Sequence, residues 1–244
     1  TPVPSSAASD VYKRQARRGA KVVVNDLGGS VDGSGASDAA NEVVDIIKSE
    51  GGEAIANGAS VTNLDAVKEM TNQTMEKWGR IDILVNNAGI LRDKSFHKVT
   101  LEDFNLVMDV HFQGSLNCTH TIFPIMREQE YGRIVFTSSS SGVFGNFGQT
   151  NYGSAKMAMV GLMNTLKIEG QSKNVFTNSI TPVAYTRMTE GLIPEDFGKN
   201  LQPEFVTPAV IYLSSENAPN GVIMAAGAGV FSRIFIHETM GVSL

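Results

Sequence analysis

The sequence predicts a single α/β domain built on a doubly wound parallel sheet. From residue 21 onward, short runs of apolar and β-branched residues alternate with longer amphipathic stretches. The strand-like runs are continuously apolar, which is typical of parallel strands covered by helices on both faces. The chain has 244 residues, 42% of them hydrophobic, and shows neither an internal repeat nor a linker that would divide it. One core of this kind is therefore expected.

Each element is predicted from its own pattern. Strands are expected where β-branched residues cluster, at Lys21–Asp26, Ile81–Asn87, Arg133–Ser139, Val175–Ile180 and Gly221–Ala226. Helices are expected where apolar residues recur on one face, at Ser37–Glu50, within Leu101–Arg127 as one long helix, at Asn151–Glu169 and near Pro208–Ser215. A polar loop at 182–205 contains Pro194 and Pro203, and loops of this length at the carboxyl end of such a sheet often cover a ligand.

The first 20 residues do not fit this pattern. A doubly wound sheet of this kind opens with an apolar strand, a glycine-rich turn and a helix. Here the chain starts with two early prolines and has no glycine before Gly19, while residues 16–20 read as the end of a first helix. We therefore predict a non-native or disordered head at residues 1–15. The domain then covers residues 16–244, with its first strand and glycine-rich loop missing from the chain.

Composition excludes several classes of function. A net charge of −5 argues against nucleic acid as a main partner, because phosphate binding favours a basic face. A single cysteine, Cys118, leaves no internal disulfide, and its apolar surroundings predict a buried thiol. The sequence contains no run of about 18 apolar residues, so no membrane span is predicted. No metal site is expected.

The residues that could carry chemistry centre on Tyr152 and Lys156, four positions apart on a predicted helix. This spacing places both side chains on one face, where an ammonium group favours the phenolate form of the tyrosine. Ser139 ends the preceding predicted strand, and its hydroxyl could polarise a substrate oxygen. A Tyr-x3-Lys pair alone is common on solvated helices, so its significance here depends on Ser139 and on the Asn-Asn-Ala-Gly run at 86–89.

In this order, these motifs resemble the short-chain dehydrogenases/reductases, over about residues 16–230. The resemblance implies a Rossmann-like fold in which Ser139 orients the substrate and Tyr152 is the acid/base. Lys156 would contact the cofactor ribose and lower the pKa of the tyrosine. Asn87, Ala88 and Gly89 would lie against the cofactor.

One position departs from the family. The asparagine that completes the catalytic set falls on His111, in the long helix before Ser139. Its role in the family is to help a water relay through the backbone, which a histidine could preserve. A general base and a histidine packed within the helix are the other two interpretations.

Cofactor choice is predicted from Asp26. A carboxylate at the end of this strand accepts hydrogen bonds from ribose hydroxyls and repels a 2′-phosphate, which favours NAD over NADP. By resemblance, Ser60 and Val61 occupy the adenine-contact position, and Pro182 also lies at the cofactor. The Gly33-Ser34-Gly35 run follows Asp26 and is interpreted as a flexible insertion, because the pyrophosphate loop must precede that acid. Without that loop the chain is expected to bind NAD weakly or not at all.

Longer segments narrow the resemblance to the (3R)-hydroxyacyl-CoA dehydrogenase domains of type 2 peroxisomal multifunctional enzymes. They are VVVNDLGG, NNAGILRDKSF, SSGVFGNFGQTNYGSAK and TPVAYTRMTE. The resemblance implies NAD-dependent oxidation of a (3R)-hydroxyacyl-CoA in fatty-acid β-oxidation. It also implies a peroxisomal location, with the cytoplasm as the alternative, and a homodimer formed through the two long helices. The hydratase and sterol-carrier parts common in such enzymes are missing from this sequence, which is therefore either a fragment or a stand-alone relative.

Two other functions stay open. A 3-oxoacyl carrier-protein reductase or a hydroxysteroid dehydrogenase would use the same three catalytic residues. An inactive Rossmann-like fragment would follow from the missing pyrophosphate loop.

Overall fold

The computed structural model describes residues 7–33, 38–186, 189 and 195–242. Its strands are β1 (Val22–Asn25), β2 (Ala54–Asn57), β3 (Ile83–Asn86), β4 (Gly132–Thr137), β5 (Val175–Val183), β6 (Ile223–Gly227) and β7 (Val230–Ile234). Its α-helices are α1 (Ala7–Ala16), α2 (Ala39–Ser49), α3 (Leu64–Trp78), α4 (Leu101–Met108), α5 (Gly114–Glu128), α6 (Ser140–Phe144), α7 (Thr150–Gln171), α8 (Glu195–Gly198) and α9 (Thr207–Leu213). Among these residues, no helix is both long enough and apolar enough to cross a bilayer.

The strands form a parallel sheet in two parts. Strands β1 and β2 pair with each other, and the second part has the order β3-β4-β5-β6-β7. All pairings are parallel except that of β6 with β7. The predicted α/β fold with a parallel sheet is confirmed. That a first strand is missing from the chain stays a prediction.

The core lies on both faces of the sheet, as a doubly wound fold requires. Strand β4 is buried along almost its whole length, and its successive side chains enter different clusters. Val135 packs with Ile180 and Leu213. Its neighbours Ile134 and Phe136 pack in another cluster, with residues such as Met159. This alternation follows from the two-residue period of a strand.

The segment before β1 corrects one expectation. Residues 7–15 are not a disordered head, because they form most of α1. Val11 is buried in the cluster that contains Val135, and Thr207 at the start of α9 donates a hydrogen bond of 2.5 Å to buried Asp10. The chain turns after the helix at Gly19, whose φ is +87°. Residues 1–6 lie outside the described residues, and the non-native origin proposed for the head stays a prediction.

The predicted long helix at Leu101–Arg127 is interrupted. Helices α4 and α5 are joined by a π-helical turn at Asp109–Gln113, which contains His111. Such turns insert one extra residue per hydrogen-bonded ring and occur frequently at functional sites. The apolar pattern of the sequence contains no sign of the interruption.

The carboxyl-terminal part also differs from prediction. Strand β5 continues to Val183, so Pro182 lies within the strand, in register with Ala226 of β6. Strand β7 is not predicted by the sequence pattern. It follows a two-residue turn in which Ala228 and Gly229 both have positive φ, the geometry of a tight β-hairpin.

Two predicted loops are described only in part. The predicted loop at 182–205 contains α8 and a 3₁₀ turn at Pro203–Phe205. Residues 187, 188 and 190–194 of that loop, and residues 34–37 of the predicted glycine-rich insertion, lie outside the described residues.

Candidate active site

The candidate residues gather at the carboxyl edge of the sheet. Most of them follow or end a parallel strand, and in an open α/β sheet the crevice beyond these ends is where ligands bind. By strand, they are Asp26 after β1, Ser60 and Val61 after β2, Asn87 to Gly89 after β3, Ser139 after β4 and Pro182 near the end of β5. Tyr152 and Lys156 lie in the first two turns of α7.

Ser139 is held by its own helix cap. Its backbone is extended, and its Oγ accepts a hydrogen bond of 3.2 Å from the N–H of Ser141, so it forms the N-cap of α6. The preceding Ser138 donates from Oγ to the backbone carbonyl of Lys156 at 2.9 Å. These bonds fix the end of β4 against α7, so Ser139 and the start of α7 share one rigid unit.

Tyr152 lies at the centre of the cluster. The ring of His111 packs edge-on against it, with centroids 5.2 Å apart and planes at 90°. The Nζ atom of Lys156 is 5.3 Å from the centre of the tyrosine ring. Burial raises the pKa of Tyr152, and a hydrogen bond with Ser139 acts in the opposite direction. The structure thus brings three side chains, those of His111, Lys156 and Ser139, around the phenol of Tyr152.

Lys156 is buried, with 3% of its surface exposed. Its Nζ donates to the carbonyl of Thr137 at 2.6 Å, and the hydroxyl of Thr137 donates to Oδ1 of Asn87 at 3.1 Å. Burial lowers the pKa of Lys156 to about 7. The sequence predicts that a lysine charge lowers the pKa of Tyr152. In the structure desolvation has the larger effect, so the pKa of the phenol is raised.

His111 contacts the backbone that follows β3. Its Nε2 lies 2.8 Å from the carbonyl oxygen and 3.1 Å from the amide nitrogen of Ile90. A Cβ atom on Gly89 would come within 2.2 Å of the imidazole, so only glycine fits there. Burial lowers the pKa of His111 to about 3, which keeps the ring neutral at physiological pH. Within the described part of the chain, Nδ1 has no hydrogen-bond partner. These are the contacts of a packed, positioning histidine.

The side of the crevice where the sequence predicts the cofactor is formed by loops after β1 and β2. Asp26 is exposed, and its Oδ1 accepts a hydrogen bond of 2.7 Å from the N–H of Gly28. Val61 packs closely on Gly114: a Cβ atom added to Gly114 would lie 2.5 Å from the Cγ2 atom of Val61. Asn117 donates to the carbonyl of Val61 at 2.9 Å. Sequence reasoning missed Asn117, which is one polar residue within an otherwise ordinary helix.

Three further polar residues that sequence reasoning missed surround the start of α7. They are Arg92, Asp103 and Asn151. Asn151 is fully buried, its Nδ2 donates to the carbonyl of Arg92 at 3.0 Å, and its Oδ1 accepts from the N–H of Tyr152 at 2.8 Å. The only sequence signal was the position of Asn151 beside the tyrosine.

Comparison with known proteins identifies the family. The family model described as short chain dehydrogenase matches residues 8–196. The chain is 49% identical over 231 residues to the peroxisomal multifunctional enzyme type 2 of Drosophila melanogaster, a match that covers 94% of this chain but 38% of that protein. The chain therefore spans well under half of the length of that relative. The solved full-length enzyme superposes with a TM-score of 0.80, at 40% identity, over 98% of this chain and 39% of that one.

Two more distant proteins are also similar to the chain. A 3-oxoacyl-acyl-carrier-protein reductase of Synechocystis sp. is 38% identical over 210 residues, which is 83% of this chain and 82% of that protein. A 7α-hydroxysteroid dehydrogenase solved with NADH and 7-oxo glycochenodeoxycholic acid superposes with a TM-score of 0.81, at 28% identity, over 92% of this chain and 90% of that one. The family model, these similarities and the arrangement of the sheet agree: the chain belongs to the short-chain dehydrogenase family.

Proposed function

We propose that the chain oxidises (3R)-hydroxyacyl-CoA to 3-ketoacyl-CoA with NAD⁺. The observation that carries this proposal is the convergence of Ser139, Tyr152 and Lys156 at the carboxyl edge of the sheet. The similarity to peroxisomal multifunctional enzymes supports the acyl-CoA thioester as the substrate and fatty-acid β-oxidation as the process. A peroxisomal location and a homodimer formed through α4, α5 and α7 belong to the same proposal.

The proposed reaction moves one proton and one hydride. The substrate hydroxyl donates its proton to the ionised oxygen of Tyr152 while Ser139 holds the substrate oxygen by a hydrogen bond. Burial disfavours this ionised form of Tyr152, and the positive charge of bound NAD⁺ would favour it. The C3–H bond breaks as a carbonyl forms, and NAD⁺, when bound, supplies the acceptor for that hydride. Lys156 exchanges a proton readily near neutral pH, because its pKa is about 7. Lys156 therefore fits the role of relaying the proton away from the phenol of Tyr152.

The residues on the cofactor side fit a dinucleotide. The carboxylate of Asp26 is exposed at the end of β1, where it would accept from ribose hydroxyls and disfavour a 2′-phosphate. Gly89 presents bare backbone, since His111 occupies the space of a side chain. The remaining contacts would come from the loops at the same edge, at Ser60, Val61, Asn87, Ala88 and Pro182. Tyr152 and Lys156 would contact the nicotinamide half.

A keto-reductase is the second candidate. The similarity to the Synechocystis reductase favours it, because both candidate reactions interconvert a 3-hydroxyacyl and a 3-ketoacyl thioester. Asp26 argues for the first candidate, since a reductase that uses NADPH needs room and positive charge for the 2′-phosphate. Comparing kcat/KM for NAD⁺ and NADP⁺ with one hydroxyacyl-CoA distinguishes the two.

The first prediction concerns Tyr152. We expect NADH formation from (3R)-hydroxyacyl-CoA to fall by about 10²- to 10⁴-fold in Tyr152→Phe, because the variant keeps the ring but loses the proton acceptor. The measurement is the steady-state rate with both enantiomers of the substrate. Tyr212→Phe, on the exposed side of α9, is the matched control and should keep full activity.

Undiminished turnover in Tyr152→Phe would exclude the proposed role of the tyrosine. If the wild-type chain neither binds NAD⁺ in calorimetry nor turns over, the inactive-fragment alternative applies to this chain. A chimera in which the amino-terminal segment of the Drosophila relative, up to and including its first helix, replaces residues 1–16 then tests the catalytic residues separately. A chimera that binds NAD⁺ but stays inactive would refute the proposed function.

A further inference from the structure

Arg92 connects three parts of the molecule that meet at the site. Its Nε donates to the carbonyl of Asp32, in the loop that follows β1, at 3.0 Å. Its Nη1 donates to Oδ1 of Asp103, on α4, at 3.0 Å. Its own carbonyl accepts from Asn151, at the start of α7. One residue thus joins the loop after β1, the helix α4 and the catalytic helix.

The loop after β1 touches the same segment through its backbone. The N–H of Leu91 donates to the carbonyl of Val31 at 2.9 Å. Gly33 packs against Ile90, and a Cβ there would lie 3.2 Å from the Cγ2 of that side chain. This loop begins with Asp26, the carboxylate proposed for the ribose. The segment at 90–92 therefore lies between the proposed cofactor loop and Tyr152.

The carboxylate that holds Arg92 is itself well fixed. Asp103 is buried, and its second oxygen accepts from Nζ of Lys94 at 2.8 Å. Its backbone N–H donates to the capping hydroxyl of Thr100, which fixes the first turn of α4. Because Lys94 pairs with the same carboxylate, removing the guanidinium leaves Asp103 with a cationic partner. The arginine can therefore be replaced without stranding a buried charge.

We propose that Arg92 is a positioning residue that couples the loop after β1 to the catalytic helix α7. A planar guanidinium donates in two directions at once, to Asp32 and to Asp103, which a lysine cannot do with the same geometry. The effect of this coupling on turnover rests on the proposed function. The coupling itself is a property of the loop and is independent of the proposed function. Loss of Arg92 should therefore free the loop first and affect the site through it.

The second prediction tests this coupling in the full chain. In Arg92→Met, amide hydrogen exchange at 27–33 should become about tenfold faster, because a charge-assisted hydrogen bond that closes the loop is lost. The unfolding midpoint should change little. Arg92→Lys should restore part of the protection through the contact with Asp103. Arg80→Met is the matched control: it removes an exposed Arg–Asp pair before β3 and should leave exchange at 27–33 unchanged.

Kinetics provide the second measurement. We expect Arg92→Met to raise the KM for NAD⁺ several-fold and to change kcat less, since the chemical groups stay in place. Unchanged exchange at 27–33 in Arg92→Met, or equal acceleration in Arg80→Met, would overturn the coupling. Faster exchange at 27–33 in Arg92→Met, together with a wild-type chain that shows no turnover, would support the coupling while the proposed function fails. The two ideas can therefore fail separately.

Discussion

Burial of Lys156 carries a cost in stability at a residue to which we assign a role in the proposed reaction. Its amine is removed from water and donates to one carbonyl, that of Thr137, at 2.6 Å. The neutral form is therefore favoured, and its pKa is lowered from 10.5 to about 7. In the unfolded chain the same amine stays protonated to much higher pH. Folding then releases a proton over the range between these values.

The third prediction is a pH dependence of stability. Between about pH 7 and pH 10.5 the unfolded state binds a proton that the folded state does not, so the free energy of unfolding should rise with pH over this window. Below pH 7 both states are protonated, and the burial cost is present in full. Lys156→Met should therefore raise stability relative to wild type most below pH 7, and this gain should fade toward pH 10.5.

Urea unfolding of both proteins across this range measures the effect. Lys68→Met, which replaces an exposed lysine of α3, is the control. Its free energy of unfolding should rise with pH as steeply as that of the wild type. If the free energy of unfolding of Lys156→Met rises with pH as steeply as that of the wild type, Lys156 is not the origin of the pH dependence.

At the scale of elements, the π-helical turn positions His111. The turn directs the imidazole to the backbone of Ile90 and leaves no space beside Gly89. The strand end after β3 and the helix pair α4–α5 are thus fitted to each other. His111 also contacts the ring of Tyr152, so the same fit places the tyrosine.

The fourth prediction tests that fit. Gly89→Ala should destabilise the protein by about 1–3 kcal/mol, because the new methyl group overlaps a fully buried ring. Gly161→Ala is the control: this glycine lies in α7, a Cβ added there would meet no neighbouring atom within 4 Å, and the change should be neutral or stabilising.

A double-mutant cycle identifies the partner. Adding His111→Ala to Gly89→Ala should recover part of the loss, because it removes the ring that the methyl group meets. Additive losses in the cycle would contradict the contact.

The strands that are buried on both faces are predictable from sequence, because their apolar runs are long and lie between clear breaks. Ser139, Tyr152 and Lys156 are predictable as well, since a chemical motif fixes their spacing. Strand β7 is not, because it is an exposed edge that follows an Ala-Gly turn without a strong turn signal. The π turn and the bonds of Arg92 also escape prediction. Both depend on contacts between residues far apart in the chain, which local periodicity does not report.

At the scale of the whole molecule, the division of the sheet affects β3 most. It has hydrogen-bond partners on β4, but it is not paired with β1 among the described strands. Its residues Ile83 to Val85 are only partly buried, although all three are apolar, whereas β4 is buried almost throughout. An edge strand presents unpaired amides and carbonyls on its free side.

The fifth prediction follows from this exposed edge. Amides of β3 that point away from β4 should exchange at least about tenfold faster than those of β5, which has paired neighbours on both sides. Exchange resolved to single residues by NMR measures this, with the amides of β3 that point toward β4 as the internal control. Equal protection on both sides of β3 would show that this edge is covered.

In the proposed mode of binding, the affinity for the cofactor would also depend on how firmly the two parts of the sheet are held together. The unit of β1 and β2 is held to the rest by loop and side-chain contacts, such as Val61 on Gly114 and Arg92 on Asp32, and not by strand pairing among the described residues. A dinucleotide reaching from Asp26 to Asn87 would span this seam and hold its two sides together. Affinity would then scale with the fraction of molecules whose two units are already docked. Substitutions far from the crevice that loosen the seam would weaken binding without touching the ligand.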